Sequence, residues 1–298
     1  MKILLAVDGS KCAEGAARFL TFLNLSPEDE ITVFHALQWG HYLLDEKSYQ
    51  TVLKEIKKTL APGILDAALD ILKPVKAKVS AAIVEGPAKQ TIIDKAMETN
   101  ADLIVMGARG AKSAGHLFLG SVSHAVATRS PVPVLITKLP LTTPQGGMKM
   151  LFATDGSVYS MAAQKFLTSM PFPGHSEVTV INVKPTVLVD MPITFVPELN
   201  ERYAEAIEEI RKSESSQSAG TLDQARQILL GHFEKVDIIS AEGDASTEIL
   251  AASRSLKADL IVAGCRGLTG FKGMIGSVSR NILSHSKCPV LIGKICED

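Results

Sequence analysis

"ADLIVMGARGAKSAGHLFLGSVS" occupies residues 101–123, and "ADLIVAGCRGLTGFKGMIGSVS" occupies residues 258–279. Each copy opens on a short apolar run bounded by turn residues, which predicts a buried strand. A glycine cluster then breaks the run, and a second cluster, Gly-Ser-Val-Ser, opens the next segment. Glycines between a strand and a helix permit sharp turns and close approach to the main chain. The free N–H groups of a helix start favour an anion. Gly107, Gly110 and Gly120 are expected to take that role in one copy, with Gly264, Gly267 and Gly276 in the other. The hydroxyls of Ser121 and Ser123, and of Ser277 and Ser279, are expected to add donors there.

Working outward, the duplication covers the whole chain. "ILLAVDGS" (3–10) matches "MLFATDGS" (150–157), and "ITVFHALQ" (31–38) matches "VTVINVKP" (178–185). "KVSAAIVEGPAKQTII" (78–93) matches "KVDIISAEGDASTEIL" (235–250), and "SPVPVLITK" (130–138) matches "SKCPVLIGK" (286–294). A period of about 150 residues is too long for a solenoid repeat, so each copy reads as a domain. The domains are expected at 1–138 and 148–298, joined by the linker "LPLTTPQGG" (139–147), which carries Pro and Gly and no charge.

Within a copy, five apolar runs alternate with four helical segments, which predicts a parallel sheet covered on both faces. Ser10 is a helix N-cap candidate and Pro87 suits a first helical turn. A long helical segment over 45–72 is expected to break at Pro62-Gly63. "RKSESSQSAG" (211–220) reads as a polar break in a helix or an exposed partner surface, with solvated filler the favoured alternative. In open α/β sheets the ligand sits beyond the carboxyl ends of the strands. Asp8 and Asp155, which follow the first strand of each copy, fall there. From position alone they are either helix-entry residues or carboxylates that face a base or ribose, because they would repel phosphate. Arg109 and Arg266, each between paired glycines, are either phosphate contacts or solvated loop charges.

Composition excludes other classes. The 298 residues are 46% hydrophobic and 21% charged with a net charge of −1, which suits a globular protein and argues against neutralisation of nucleic-acid phosphates. No apolar run approaches a membrane span, and the N-terminus lacks a signal-peptide core, so a cytoplasmic location is expected. Four cysteines show no zinc spacing and read as small reduced thiols; a redox role for Cys265 would need an exposed, acidic thiol. The seven histidines form no metal pair, so no protein-built metal site is expected. The Walker A spacing fails in both copies, as do the dinucleotide fingerprint and the nucleophile elbow.

These motifs together resemble the universal stress protein family in a tandem form. Its ATP-binding members carry Gly-x2-Gly-x9-Gly-[Ser/Thr], which Gly107, Gly110, Gly120 and Ser121 reproduce; Gly264, Gly267, Gly276 and Ser277 do so with eight residues in the last gap. The resemblance implies two doubly wound, Rossmann-like domains of the adenine nucleotide alpha hydrolase type, each with strand order 3-2-1-4-5. It implies ATP or AMP as ligand, with Mg²⁺ held only through the nucleotide phosphates. Asp8 and Asp155 would meet the adenosine, and Ala36 and Val183 would read the adenine edge with their backbone. Gly107, Arg109, Gly110, Gly264, Arg266 and Gly267 would flank ribose and phosphates. Gly120-Ser121-Val122-Ser123 and Gly276-Ser277-Val278-Ser279 would bind the phosphate tail.

The shorter second loop makes the first copy the better expected ATP site and points the second towards AMP or ADP. The function implied is stress-response regulation with an adenine nucleotide and an unidentified protein partner. The alternatives are a slow ATPase or autokinase, at most a weak hydrolase, and a nucleotide-free dimerisation scaffold. An adenylating enzyme is disfavoured, because "VDGSKC" and "TDGSVY" stand where that class carries SGGxDS. The last strands of the two domains are expected to pair within the chain, since an open strand edge is a liability; a homodimer of chains is a further possibility. The excursions 111–119 and 268–275 are the mobile candidates.

Overall fold

The computed structural model describes residues 1–37, 59, 61–110, 119–141, 143–144, 146–185, 196–267 and 275–295. The first half contains β1 (Lys2–Ala6), α1 (Lys11–Leu20), β2 (Glu30–Leu37), α2 (Ala61–Leu72), β3 (Lys78–Glu85), α3 (Ala88–Glu98), β4 (Leu103–Gly107), α4 (Ser121–Arg129) and β5 (Val134–Thr137). The second contains β6 (Lys149–Ala153), α5 (Val158–Ser169), β7 (Glu177–Lys184), α6 (Val196–Leu230), β8 (Lys235–Glu242), α7 (Ala245–Ser255), β9 (Leu260–Gly264), α8 (Ser277–His285) and β10 (Val290–Gly293).

The strands form one ten-stranded sheet, ordered β3-β2-β1-β4-β5-β10-β9-β6-β7-β8. Each half therefore has the order 3-2-1-4-5, and all pairs within a half are parallel. The halves meet where β5 and β10 pair antiparallel, Val134 opposite Ile292 and Ile136 opposite Val290. This pairing removes the edge that each last strand would otherwise expose.

The apolar runs form strands because both faces are covered. β4 and β9 are buried along their whole length. On one face, α1, α2, α5 and α6 pack a core that includes Phe19, Leu65, Phe152 and Leu222 and continues across both halves. On the other, α3, α4, α7 and α8 pack Ile92, Val126, Ile249 and Ile282. Burial of one such aliphatic side chain stabilises by roughly 1.5–3 kcal/mol. The outermost strands, β3 and β8, are largely exposed, as edge strands are.

Ser10 caps α1 by accepting from the Ala13 N–H at 3.2 Å, and Ser157 caps α5 through Ser160 N–H at 3.2 Å. The described helix α2 begins at Ala61, with Pro62 and Gly63 in its first turn, where the missing proline N–H costs little. Residues 45–58 and 60 of the expected helical segment lie outside the described residues. One expectation fails: residues 211–220 are not a break, because α6 runs through them. Ser218 is buried there, its hydroxyl 3.3 Å from that of Ser240 on β8, so part of this polar run faces the sheet.

Candidate functional site

Two clefts of about 450 Å³ each lie beyond the carboxyl ends of the strands, one per half. The first is lined by Asp8, Ala36, Gly107, Arg109, Gly110, Gly120, Ser121, Val122 and Ser123. The second is lined by Asp155, Val183, Gly264, Arg266, Gly267, Gly276, Ser277, Val278 and Ser279. All eighteen residues singled out in the sequence are thus brought together in two equivalent groups. Most of the two excursions, 111–118 and 268–274, lies outside the described residues.

One wall of each cleft is apolar. Phe34, Ile92 and Met106 contribute it in the first half, and Ile181, Ile249 and Ile275 in the second. The opposite end is the start of a helix. Gly120 and Gly276 are N-caps without a side-chain cap bond, and each donates its own N–H to the loop, to Ala108 O and Cys265 O at 2.8 Å. The first intrahelical bonds run from His124 to Gly120 and from Arg280 to Gly276. The N–H groups of residues 121–123 and 277–279 therefore have no acceptor among the described residues. Three unpaired donors at the positive end of a helix dipole form an anion cradle beside an apolar slot.

The structure changes three details. Gly107, Gly110, Gly120, Gly264, Gly267 and Gly276 do not use positive φ; near the clefts that conformation occurs among the described residues at Gly9 (+77°) and Gly156 (+75°), in the turn after the first strand, as it does at Gly86 and Gly243 after the third strand of each half. Gly107 and Gly264 are instead needed for close packing. A Cβ there would lie 2.6 Å from the Cys12 carbonyl carbon and 2.7 Å from that of Tyr159, at the starts of α1 and α5. Gly110 and Gly267 make room for the carboxylates of Asp8 and Asp155.

The hydroxyls of Ser123 and Ser279 do not donate into the clefts. They donate to Gly107 O at 2.8 Å and Gly264 O at 2.7 Å and tie each cradle helix to the end of its strand. The aspartates serve the helix entry and also line the clefts. Each accepts from the N–H of the following serine, Ser10 at 3.1 Å and Ser157 at 3.0 Å, and each also lines its cleft.

His35 and Asn182, equivalent residues on β2 and β7, were not singled out in the sequence. The His35 ring Nδ1 lies 2.8 Å from Val7 O, and Asn182 Nδ2 donates to Thr154 O at 2.7 Å. Both pin the strand end that carries the aspartate. Their shared alignment in the repeat was a signal, but different residue types hid the common role. Arg266 donates from Nη1 to the Tyr159 hydroxyl at 2.9 Å and lies 5.1 Å from that ring's centroid. Cys12 occupies the tyrosine's place in the first half.

Burial pushes the Cys265 thiol above its ordinary pKa, partly offset by Lys294 and Arg266, which argues against a redox-sensing thiolate. Among the described residues no group of three acidic, His or Cys side chains is placed to hold a metal ion. No described helix is long and apolar enough to cross a membrane.

A doubly wound α/β sheet with clefts at the carboxyl ends of its strands defines a Rossmann-like protein of the adenine nucleotide alpha hydrolase type. The universal stress protein family model matches residues 1–138 and again 148–294, and the chain belongs to that family. It is 31% identical over 146 residues to universal stress protein YxiE of Bacillus subtilis, an alignment that covers 48% of this chain and 97% of that protein. A universal stress protein of Thermus aquaticus is 32% identical over 136 residues, covering 46% of this chain and 97% of its own length. Each relative thus corresponds to about one half of this chain. The crystal structure of a universal stress protein from Archaeoglobus fulgidus shares the fold along 98% of both chains, with a TM-score of 0.64 and 24% identity.

Proposed function

We propose that the chain is a stress-response regulatory protein of the cytoplasm. Its two domains, 1–138 and 148–298, are joined by residues 139–147, and each holds one adenine nucleotide. The observation that carries this reading is the twofold occurrence of an apolar slot ending on a cradle of three N–H donors without acceptors among the described residues. An adenine ring suits the slot, where the backbone of Ala36 or Val183 lies at its edge. Phosphate suits the cradle, with Arg109 or Arg266 at hand. Asp8 and Asp155 sit where a ribose would lie. Cavities of this size are in the range that small ligands occupy.

ATP is the ligand favoured for the first cleft. AMP or ADP is favoured for the second, whose loop is one residue shorter. Any Mg²⁺ would be held through the phosphates. Occupancy, rather than turnover, is taken as the signal passed to a protein partner, because a bound ligand stabilises whichever conformation it prefers.

Calorimetric titration of nucleotide-stripped protein with ATP·Mg²⁺ and with AMP tests this. Wild type should show two saturable sites. Gly120→Val should lose the first and Gly276→Val the second, each by at least about tenfold, which is ~1.4 kcal/mol. Absence of binding to wild type, or unchanged binding in both variants, would overturn the reading.

A further inference from the structure

Two buried lysines cross the seam between the halves. Lys138 follows β5 and donates from Nζ to Ser286 O at 2.8 Å, the C-cap of α8. Lys294 follows β10 and donates to Thr128 O at 3.2 Å, in the last turn of α4. The two contacts are made in opposite directions and differ in their acceptor, since the residue equivalent to Ser286 is Ser130, two positions beyond Thr128. Both lysines are only 9% exposed, a rare setting for that residue. Each holds the C-terminal end of the helix whose N-terminal end is the anion cradle of the other half. Those helices have nine residues, so cradle and lysine lie roughly 13 Å apart along the axis. Each lysine also adjoins the arginine loop of its own cleft: Thr137 O, just before Lys138, accepts from the Ala108 N–H at 2.8 Å, and Gly293 O, just before Lys294, accepts from the Cys265 N–H at 3.1 Å, so the charges of Arg109 and Arg266 bear on Lys138 and Lys294.

We propose that Lys138 and Lys294 couple the two clefts, so that an anionic ligand held in one tightens the grip of the other. This inference rests on the nucleotide-binding reading above. An anion beside Arg109 offsets the repulsion that Arg109 exerts on Lys138 and favours its protonated form. A charge-assisted hydrogen bond is roughly twice as strong as a neutral one. The protonated lysine therefore fixes the end of α8 more firmly, and the cradle at Ser277–Ser279 is better preorganised. Lys294 does the same for α4 and the cradle at Ser121–Ser123.

The groups that face Lys138 are Arg109, the Cys288 thiol and the Ser286 carbonyl; those that face Lys294 are Arg266, the Cys265 thiol and the Thr128 carbonyl. Burial, foremost, and Arg109 lower the pKa of Lys138 to about 8, and burial lowers that of Lys294. At Lys138 the coupling thus draws on a proton that is exchangeable near pH 8.

The test is calorimetry with ATP·Mg²⁺ and AMP on wild type, Lys138→Met, Lys294→Met and the double variant. Gly120→Val and Gly276→Val supply the affinity of each cleft alone. In wild type the second nucleotide should bind about fivefold more tightly than the corresponding single-cleft affinity, the lower range of known couplings. At pH 8, titration in buffers of different ionisation enthalpy should show proton uptake on binding. Both effects should vanish in the double methionine variant, which retains two sites. A merely structural lysine could take up a proton beside a bound anion but would leave the two affinities independent. Independent clefts in wild type, or coupling that persists in the double variant, would sink the inference while nucleotide binding stands. Absence of all binding would remove both.

Discussion

The two halves of the chain solve one structural problem with overlapping but different residues. Where they agree, the geometry leaves little choice. The glycines at the ends of β4 and β9 lie under a helix start, the Ser123 and Ser279 hydroxyls bond the same carbonyl, and Lys138 and Lys294 exchange helix ends. Where they differ, the cleft tolerates a second solution. His35 and Asn182 reach equivalent carbonyls. Pro87 starts α3 without a side-chain cap, whereas Asp244 caps α7. Lys11 and Glu14 form an ion pair on the outer face of α1; Val158 and Met161, at the same places on α5, are exposed apolar side chains. The shared residues define the cradle and its anchorage, and the variable ones lie at strand ends, at helix starts and on the outer face.

The comparison breaks first at the packing glycines. Gly107→Ala and Gly264→Ala should each cost about 2–3 kcal/mol, read from denaturant midpoints, because backbone rather than a flexible side chain meets the new methyl group. Near-equal losses would keep the halves equivalent. A much smaller loss at Gly107 would show that α1 yields where α5, tied through Tyr159 to Arg266, does not.

Next in size is the seam. Lys138→Met should raise stability at pH 7 by on the order of 1 kcal/mol, because it removes a buried charge. The sign follows from the pKa. The folded value of about 8 lies below the usual 10.5, so the unfolded chain holds more protons between the two. Wild-type stability should therefore gain a contribution that rises from about pH 8 to about 10.5, and the variant should lack it. A flat difference across that window would contradict the assignment.

Asp244→Ala should cost about 1 kcal/mol by chemical denaturation, with no equivalent loss at Pro87→Ala. The Asp244 carboxylate accepts from the Thr247 hydroxyl at 2.7 Å and N–H at 2.8 Å and from the Ser246 hydroxyl at 2.7 Å, and its pKa lies below the usual 3.8. This contribution is present above the ordinary carboxylate value and disappears as pH falls through the lower folded one. The smallest effect is expected from Tyr159→Cys, which gives the second half the residue of the first. It should lose roughly 0.5–1 kcal/mol of cation–π attraction. Nucleotide affinity should change in the second cleft alone.

Much of the fold was legible because the repeat marks every buried strand twice. β1, β4 and β9 are five-residue runs with a turn residue at or close after their carboxyl ends, and Ser10 announces its cap by type and place. Most members of both clefts were legible from the repeated glycine stretches and the aspartates, whereas Ala36 and Val183 came only from the family resemblance. The work done by individual atoms was not legible. Nothing local distinguishes a serine hydroxyl that faces a ligand from one that closes on a carbonyl sixteen residues away, as Ser123 does. Lys138 follows its strand as any solvated lysine would, and its burial depends on a helix end 148 residues distant. Residues 211–220 look like a polar break by composition. They stay helical within a 35-residue helix that packs on β7 and β8.

The antiparallel pairing of β5 with β10 reverses the strand direction from one half to the other. The two cleft mouths therefore open toward opposite margins of a single sheet. Whatever occupies one mouth leaves the other accessible, and two occupants are held at a separation set by hydrogen-bonded strands rather than by a flexible tether. Valence and spacing are thus written into the backbone. A bivalent probe would need a linker that matches that fixed span before simultaneous engagement strengthened its binding.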